Sequence, residues 1–296
     1  MNPKKTVKGI ILAGGYGTRL YPLTIGISKQ LLPVYDKPMI YYPLFILMQA
    51  MIRDILIIST KEELPRFKKL FGNGSKLGLR IQYKYQDEPN GIAEAFIIGD
   101  KFISTDNVVL ILGDNIFFGK HFNTKLKEAK KNLESGISSI FTKEVENPNE
   151  FGVIKFDDNN QIEKIIEKPK INISKNVVCG IYFFTNEVLE ISRELKPSER
   201  GELEITDINN YFLKSQKLNA VLLDDDIIWS DVGTYESLLK ISRYFYKYEK
   251  EFNKKVACIE ELALSLGYIS DNEFISLANK MINSDYGKYL LNKIKD

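Results

Sequence analysis

The sequence has very little cysteine and histidine, and this shortage excludes several classes of protein. Its 296 residues include two cysteines, Cys179 and Cys258, which form no CxxC motif, and one histidine, His121. A disulfide-stabilised fold and a zinc site built from cysteine and histidine are therefore not expected. A reduced, cytoplasmic protein fits this composition best.

The sequence also lacks a long apolar run and a surplus of charge of either sign. The apolar segment 39–52 is interrupted by Pro43 and Gln49, and the run at 10–13 is too short for the core of a signal peptide. Lysine and arginine number 41 and the acidic residues 39, a formal net charge of +2. A broad nucleic-acid-binding face would need a basic surplus. We therefore expect neither a membrane nor a nucleic acid as partner.

Short runs of β-branched and aliphatic residues alternate with amphipathic segments, which is the pattern of an α/β sheet covered by helices. The predicted strands are 8–12, 55–59, 81–85, 108–112, 137–142, 152–156, 178–184 and 220–223. The predicted helices are 41–51, 61–71, 92–102, 123–133, 186–195 and 205–217. Capping boxes are predicted at 60–63 and at 270–273, where a serine or threonine precedes a glutamate by three residues.

The C-terminal part of the sequence is predicted to be helical almost to its end. From Thr234 onward, one predicted helix face carries Tyr235, Leu238, Leu239, Ser242 and Phe245. The sequence contains no repeat and no linker. We therefore expect one domain over 1–296, with a core at 1–245 and a helical C-terminal subdomain at 246–296.

The first predicted strand ends in a glycine-rich segment, 13–19. Its three glycines let backbone N–H groups approach an anion closely, because no Cβ blocks them. The spacing has neither the third glycine of a dinucleotide fingerprint nor the lysine of a P-loop. A tight turn without a ligand is the alternative. Arg19, whose guanidinium can bridge two phosphate oxygens, favours phosphate binding.

Three further charged residues are candidates for chemistry. Lys29 could bring a positive charge to a triphosphate, although a lone lysine is more often simply solvated. Asp114 follows a predicted strand, where ligands of open α/β sheets bind and where a carboxylate could hold magnesium. A turn that begins with aspartate explains Asp114 equally well. Asp231 is a second acid, and the N-cap of a helix is its alternative role.

Together and in this order, these segments resemble the glucose-1-phosphate thymidylyltransferase family of sugar nucleotidyltransferases. The matching segments span nearly the whole chain and are 14–20, 28–43, 112–115, 167–169, 200–207, 231–234, 255–258 and 286–287. Segment 29–43 is the most specific of them, since relatives that use ATP, UTP or GTP share the glycine loop but resemble this segment much less. One departure is Glu94, which stands where a glutamine is usual.

The resemblance implies a Rossmann-like, three-layer nucleotide-diphospho-sugar transferase fold with a central mixed, mostly parallel sheet and a C-terminal helical extension. It implies Mg²⁺-dependent transfer of a thymidylyl group from dTTP to α-D-glucose 1-phosphate, the first step of dTDP-sugar biosynthesis, for example of dTDP-rhamnose. It also implies a homotetramer. The alternatives are the same reaction with another sugar 1-phosphate or with UTP, a glycosyltransferase that consumes a nucleotide sugar, and a nucleotide-sugar-binding regulator without catalysis.

The resemblance also assigns roles to individual residues. It implies that Arg19, Lys29 and Lys168 are catalytic and that Asp114 and Asp231 hold the metal. The implied nucleotide-binding residues are Leu12, Gly14, Gly15, Gly17, Thr18, Arg19, Lys29, Gln30, Gln86, Gly91 and Asp114. The implied sugar-phosphate-binding residues are Asn115, Gly152, Glu167, Lys168, Val178 and Tyr182.

Overall fold

A nine-stranded mixed sheet forms the centre of the molecule in the computed structural model, which describes residues 6–294. The strands are β1 (Val7–Ala13), β2 (Pro33–Val34), β3 (Lys37–Pro38), β4 (Asp54–Ser59), β5 (Arg80–Tyr85), β6 (Asn107–Leu112), β7 (Asn115–Phe118), β8 (Ser138–Glu144), β9 (Gly152–Phe156), β10 (Ile162–Glu167), β11 (Asn176–Phe184), β12 (Leu218–Leu222) and β13 (Ile228–Asp231). The main sheet has the order β10-β9-β11-β6-β1-β4-β5, and β8 joins β11 to β12. The short pairs β2–β3 and β7–β13 lie outside it.

Four parallel strands position the functional part of the sheet. β6, β1, β4 and β5 lie side by side in the same direction. The run from Gly9 to Ala13 in β1 is buried throughout, as is typical of parallel strands that are covered on both faces. Because these strands are parallel, the segments that follow β1, β5 and β6 meet at one edge of the sheet.

Helices cover both faces of the sheet. They are α1 (Tyr41–Gln49), α2 (Leu64–Phe71), α3 (Glu94–Ile103), α4 (Phe122–Glu134), α5 (Val188–Glu194), α6 (Ile205–Lys214), α7 (Tyr235–Phe252), α8 (Ile259–Ser265), α9 (Asp271–Asn279) and α10 (Asp285–Asn292). Alternate residues of β1 divide the core between the two faces: Ile11 packs with residues of α1, α2 and α4, and Ile10 with residues of α3, α5 and α6. The predicted three-layer α/β fold is confirmed.

The eight predicted strands are all present, each within two residues of its predicted bounds. The predicted start of the second helix is wrong. α2 begins at Leu64 rather than at residue 61, and no side chain caps it. Pro65 lies in its first turn, the position that suits a residue without a backbone N–H. The capping box at Ser270 and Glu273 is confirmed.

The predicted apolar face of the C-terminal helix is only partly correct. In α7, Phe245 is buried, but Tyr235 is 48% and Leu239 70% exposed. The predicted boundary between 245 and 246 falls inside this helix. The helices that follow pack beside α1, and Phe274 and Leu290 belong to the same core cluster as the sheet. Within residues 6–294, no helix has the length and apolarity needed to span a membrane.

Candidate active site

The glycine-rich segment after β1 forms a loop that is held from behind by two side chains. Gly15 and Gly17 have φ angles of +90° and +61°, which glycine adopts at little cost. The hydroxyl of Thr24 donates to the carbonyl of Gly17 at 2.8 Å, and Gln30 Nε2 donates to the carbonyl of Gly14 at 3.3 Å. Gln30 is itself buried, so it supports the loop from inside the protein.

A cavity of about 250 Å³, here called the loop cavity, lies against this loop. Eight of the residues predicted to bind a nucleotide line it: Leu12, Gly14, Gly15, Lys29, Gln30, Gln86, Gly91 and Asp114. Gly17 and Thr18 belong to the loop but do not line the cavity, and Arg19 lies further along. The sequence did not single out Pro89, Ile92, Leu112 and Glu202, which complete the wall.

A second cavity of about 170 Å³ adjoins the first and is called the aromatic cavity after Phe151, Tyr182 and Trp229. All six residues predicted to bind a sugar phosphate line it, namely Asn115, Gly152, Glu167, Lys168, Val178 and Tyr182, together with Arg19 and Asp231. Ile92, Leu112 and Glu202 line both cavities. The two predicted sets of residues therefore occupy neighbouring compartments of one site.

A buried ion pair lies in the wall of the loop cavity, next to Asn115 of the aromatic cavity. Lys29 Nζ contacts Asp114 Oδ2, and their side chains are only 15% and 13% exposed. Burial opposes the charge on Lys29, but the carboxylate of Asp114 outweighs it and raises the pKa of Lys29. Burial likewise opposes the charge on Asp114, but Lys29 outweighs it and lowers the pKa of Asp114. Lys29 and Asp114 are therefore both charged although their side chains are largely buried.

Asp231 is brought beside this pair by the short β7–β13 ribbon. β13 places Asp231 opposite Asn115, and the N–H of Val232 donates to the carbonyl of Asp114 at 3.0 Å. Burial, together with the charge of Asp114, raises the pKa of Asp231 to about 6. The sequence analysis did not predict either strand of this ribbon, so only the resemblance, and no local pattern, implied that Asp231 lies near Asp114.

The two carboxylates fit a hard divalent cation. Asp231 Oδ1 is buried and has no hydrogen-bond partner within residues 6–294, which leaves a carboxylate oxygen without compensation. Oxygen ligands of this kind are those that Mg²⁺ prefers, and Mg²⁺ is often held by one or two carboxylates plus water and phosphate oxygens. The described residues contain no cluster of three or more metal-ligating side chains. A cation here would therefore take its remaining ligands from water or from a bound phosphate.

Arg19 lies in the wall of the aromatic cavity. Its guanidinium is 3.2 Å from Glu150 Oε2 and 3.9 Å from Asp231 Oδ2, and its side chain is 55% exposed. A Cβ at Gly233 would come within 2.7 Å of Arg19 Nη2, so glycine at this position gives the guanidinium its space. Arg19 is a cation that can exchange its acidic partners for an incoming anion.

Asn115 has both the nitrogen and the oxygen of its side-chain amide hydrogen-bonded to the protein. Its Nδ2 donates to Asp114 Oδ1 at 3.0 Å, and its Oδ1 accepts from the N–H of Gly180 at 3.2 Å and from Trp229 Nε1 at 2.7 Å. These contacts orient the carboxylate of Asp114. Trp229 packs edge-on against Phe151 with ring centroids 5.2 Å apart.

Lys168 and Glu167 lie on the far wall of the aromatic cavity, at the end of β10. Lys168 is exposed and has a φ of +40°, a strained value for a residue with a side chain. Glu167 accepts a hydrogen bond from Thr206 Oγ1 at 2.5 Å and lies 3.5 Å from Arg200.

Segment 200–207 contributes residues that the sequence analysis quoted as a motif but did not assign to the site. Arg200, Glu202, Glu204, Ile205 and Thr206 all line the aromatic cavity. Arg200 Nη2 lies 2.7 Å from Glu202 Oε2. The sequence signal that could have identified these residues is the acidic motif of segment 200–207, which leads directly into α6.

A larger cavity of about 850 Å³ lies elsewhere, at the opposite edge of the sheet. Its lining includes Asp54 and Asn107, the first residues of β4 and β6, together with Arg53 and Arg80. None of the predicted site residues lines it. In open α/β sheets ligands bind beyond the carboxyl ends of the strands, so the two smaller cavities are the better candidate.

Comparison with known proteins finds matches over nearly the whole chain. The family model described as nucleotidyl transferase matches residues 8–247. A glucose-1-phosphate thymidylyltransferase of Neisseria meningitidis is 48% identical over 289 residues, which cover 98% of this chain and 100% of that protein. One of Mycobacterium tuberculosis is 46% identical over 285 residues, covering 96% and 98%.

Solved structures give the same result. A Bacillus anthracis structure in complex with sucrose, provisionally assigned as a glucose-1-phosphate thymidylyltransferase, is 40% identical with a TM-score of 0.75, and the match covers 81% of this chain and 95% of that chain. A UDP-glucose pyrophosphorylase in complex with UDP-glucose is 26% identical with a TM-score of 0.73, covering 82% and 100%.

Proposed function

The chain belongs to the nucleotidyl transferase family, and on this basis we propose that it transfers the thymidylyl group of dTTP to α-D-glucose 1-phosphate. The products are dTDP-glucose and pyrophosphate, and the reaction is the entry step of dTDP-sugar biosynthesis, for example of dTDP-rhamnose. The named relatives at 41–48% identity are thymidylyltransferases, whereas the uridylyl-specific structural neighbour is 26% identical. This difference favours dTTP over UTP.

The observation that carries the proposal is the buried Lys29–Asp114 pair in the wall of the loop cavity, which adjoins the aromatic cavity. A nucleotide in the loop cavity would place its phosphates against the glycine loop and Lys29. A sugar phosphate in the aromatic cavity would approach from the side of Lys168. The two reacting groups would then meet at the pair, which is the positioning that phosphoryl transfer requires.

The proposed chemistry is a single in-line displacement. A phosphate oxygen of the sugar phosphate attacks the α-phosphorus of dTTP, and the bond from this phosphorus to the oxygen that bridges to the β-phosphate breaks, which releases pyrophosphate. A phosphomonoester has a second pKa near 6, so its oxygen needs no general base at neutral pH. Arg19 and Lys29 would stabilise the charge that develops on the α-phosphate, and Lys168 would hold the attacking phosphate.

We propose Mg²⁺ as the cation for Asp114 and Asp231, supported by the unpartnered oxygen of Asp231. When bound, Mg²⁺ supplies a Lewis acid that neutralises charge on the phosphates. Asn115 would keep the carboxylate of Asp114 turned toward the cation. Pyrophosphate release should stop in EDTA and return with added Mg²⁺.

We further propose a cytoplasmic homotetramer with a core at 1–245 and a helical subdomain at 246–296. The family match ends at residue 247, which supports this division. The exposed face of α7 formed by Tyr235, Leu239 and Tyr246 supports self-association, because these apolar side chains are 48%, 70% and 48% exposed. Light scattering during size-exclusion chromatography measures the assembly, and a monomer at micromolar concentration would contradict it.

The decisive test is pyrophosphate release with Mg²⁺, in which dTTP, UTP, ATP and GTP are each paired with α-D-glucose 1-phosphate. We expect dTTP to be strongly preferred. A preference for UTP would keep the reaction type and reject the nucleotide. Binding of dTDP-glucose without turnover of any pair would indicate a regulator. Consumption of added dTDP-glucose with an added acceptor, without pyrophosphate release from any pair, would indicate a glycosyltransferase.

A further inference from the structure

Gln86 lines the loop cavity beside Gly14, and neither Lys29 nor Asp114 is among its hydrogen-bond partners. It directly follows β5, its backbone N–H donates to the carbonyl of Ser59 at 2.9 Å, and its side chain is buried. Pro89, Gly91 and Ile92 line the same cavity. Since the phosphates belong with Lys29 under the proposed function, the base would lie beside Gln86.

Only one orientation of the Gln86 amide satisfies its neighbours. Its Nε2 donates to Glu94 Oε2 at 2.6 Å and to the carbonyl of Gly91 at 3.3 Å. A carboxylate and a peptide carbonyl both accept hydrogen bonds and cannot donate them, so the amide nitrogen must face them. Turning the amide by 180° would place oxygen against oxygen at both contacts.

This orientation leaves the Gln86 oxygen facing the cavity. Gln86 Oε1 takes part in no hydrogen bond within residues 6–294, and it lies 2.9 Å from the position that a Cβ on Gly14 would occupy. The amide can therefore offer an acceptor to a bound base. It has no N–H left to donate, because both hydrogens of Nε2 are engaged.

Glu94 is itself held in place from two sides. It is the first residue of α3, where a negative charge interacts favourably with the helix dipole. Its second oxygen, Oε1, accepts from Asn90 Nδ2 at 3.1 Å. Glu94 is therefore a fixed acceptor directly behind Gln86.

We infer that Glu94 is a positioning residue that sets nucleotide specificity by holding Gln86 with its carbonyl oxygen toward the base. This inference rests on the proposed function. An acceptor at this point matches thymine or uracil, whose ring nitrogen N3 carries a hydrogen. It opposes cytosine, whose N3 is itself an acceptor, so a cytosine at the same place leaves two buried acceptors unpaired.

The test compares dTTP with dCTP, which share the same deoxyribose and triphosphate and differ only in the base. Three variants change the partner that position 94 offers to Gln86. Glu94→Gln can still present an oxygen, Glu94→Met presents no acceptor, and Glu94→Lys presents only donors. The readouts are kcat/KM for each nucleotide and the dissociation constants measured by calorimetry without sugar phosphate.

We expect the dTTP-to-dCTP ratio to stay close to wild type in Glu94→Gln and to fall about 10-fold in Glu94→Met, since one buried hydrogen bond loses its geometry. It should fall further in Glu94→Lys, which would draw the oxygen of Gln86 toward itself. The change should lie in KM and in the dissociation constants, with kcat at saturating dTTP little altered. Asp100→Lys, an equal charge change on an exposed residue of the same helix, should leave the ratio unchanged.

A ratio that does not move in Glu94→Met and Glu94→Lys, or that falls as far in Glu94→Gln as in Glu94→Met, overturns the inference. So does a wild-type protein that binds both nucleotides equally. If the wild-type protein does not turn over dTTP, the proposed function fails, and the binding ratios still decide the role of Glu94. Melting temperatures of all variants separate these outcomes from misfolding.

Discussion

At the scale of single residues, Asp231 is the buried carboxylate of the candidate site with the fewest stabilising contacts. Its Oδ1 has no partner among residues 6–294, while Asp114 is paired with Lys29. Burial and the neighbouring Asp114 raise the pKa of Asp231 from 3.8 to about 6. The folded protein therefore holds this proton more tightly than the unfolded chain. The stability that Asp231 contributes is fully present below pH 4 and is lost as the pH rises through 6.

Asp231→Asn should consequently gain stability relative to wild type as the pH rises, provided that divalent cations are removed with EDTA. We expect the difference in melting temperature to grow by about 4 °C in favour of the variant between pH 4 and pH 7. Thermal unfolding monitored by circular dichroism measures it. Added Mg²⁺ should stabilise only the wild type at pH 7. A difference that is constant across this pH range would show that Asp231 ionises freely in the folded protein.

Arg19 allows a matched test of catalysis, because the chain offers another exposed arginine in an ion pair. Arg19→Ala should lower kcat about 100-fold or more, as removal of one donor to a transition-state oxyanion does elsewhere. Arg193→Ala, which removes an exposed pair with Asp100, should leave kcat within about twofold, since such pairs contribute little. Steady-state pyrophosphate release measures both variants. Equal rates in the two variants would remove Arg19 from the catalytic residues.

At the scale of elements, the segment between β5 and α3 is held in place by a neighbouring stretch of backbone. The N–H of Leu203 donates to the carbonyl of Asn90 at 2.7 Å, and the N–H of Ala93 donates to the carbonyl of Leu203 at 3.2 Å. Gly91 lies between these contacts with a φ of +108°, and a Cβ there would come within 2.4 Å of Leu203 O. The shape of the base end of the loop cavity thus depends on a glycine.

Gly91→Ala should raise KM for dTTP by about 10-fold or more and lower the melting temperature, because the segment must move away from Leu203. Gly136→Ala is the control, since Gly136 has a φ of +78° and nothing within 4 Å of its Cβ position. It should cost about 1 kcal/mol from backbone strain alone and leave KM unchanged. If Gly91→Ala and Gly136→Ala change KM and the melting temperature equally, the close approach of Gly91 to Leu203 does not affect nucleotide binding.

The same scale shows what the sequence could predict and what it could not. Strands such as β1 and β6 were predictable because buried parallel strands read as continuous apolar runs. The glycine-rich loop after β1 and Asp114 after β6 could also be predicted, because ligands of open α/β sheets bind where such strands end. β7 and β13 are four residues long and pair across more than a hundred residues, so no local pattern predicts that they meet. The adjacency of Asp114 and Asp231, and the engagement of Asn115, depend on that pairing.

At the scale of the whole molecule, a buried charge cluster joins three separate parts of the chain. Lys255 Nζ lies 2.5 Å from Asp36 Oδ2 and 2.9 Å from Glu249 Oε2, and Lys37 Nζ lies 3.6 Å from Glu249 Oε1. Asp36 and Lys37 belong to the β2–β3 turn, Glu249 to α7, and Lys255 to the segment that leads into α8. The β2–β3 hairpin follows the segment that carries Lys29, so this cluster joins the C-terminal helices to a part of the chain adjacent to the candidate active site.

Lys255→Met should therefore destabilise the molecule and disturb the site at the same time. The substitution leaves Asp36 and Glu249 with only Lys37 as a nearby cation, and removing one partner of a buried ion pair typically costs about 3 kcal/mol. We expect a loss of about 2–3 kcal/mol in the free energy of unfolding by urea, with a lower kcat under conditions where the protein is still folded.

Lys288→Met is the matched control, since Lys288 pairs with Asp285 at 3.5 Å on the surface and both side chains are well exposed. It should change the free energy of unfolding by less than about 0.5 kcal/mol and leave kcat as it is. A Lys255→Met protein that loses stability but keeps its full kcat would show that the cluster stabilises the packing of the C-terminal helices and has no effect on catalysis. Loss of both, with the control unchanged, would mean that these helices help to position Lys29 for catalysis.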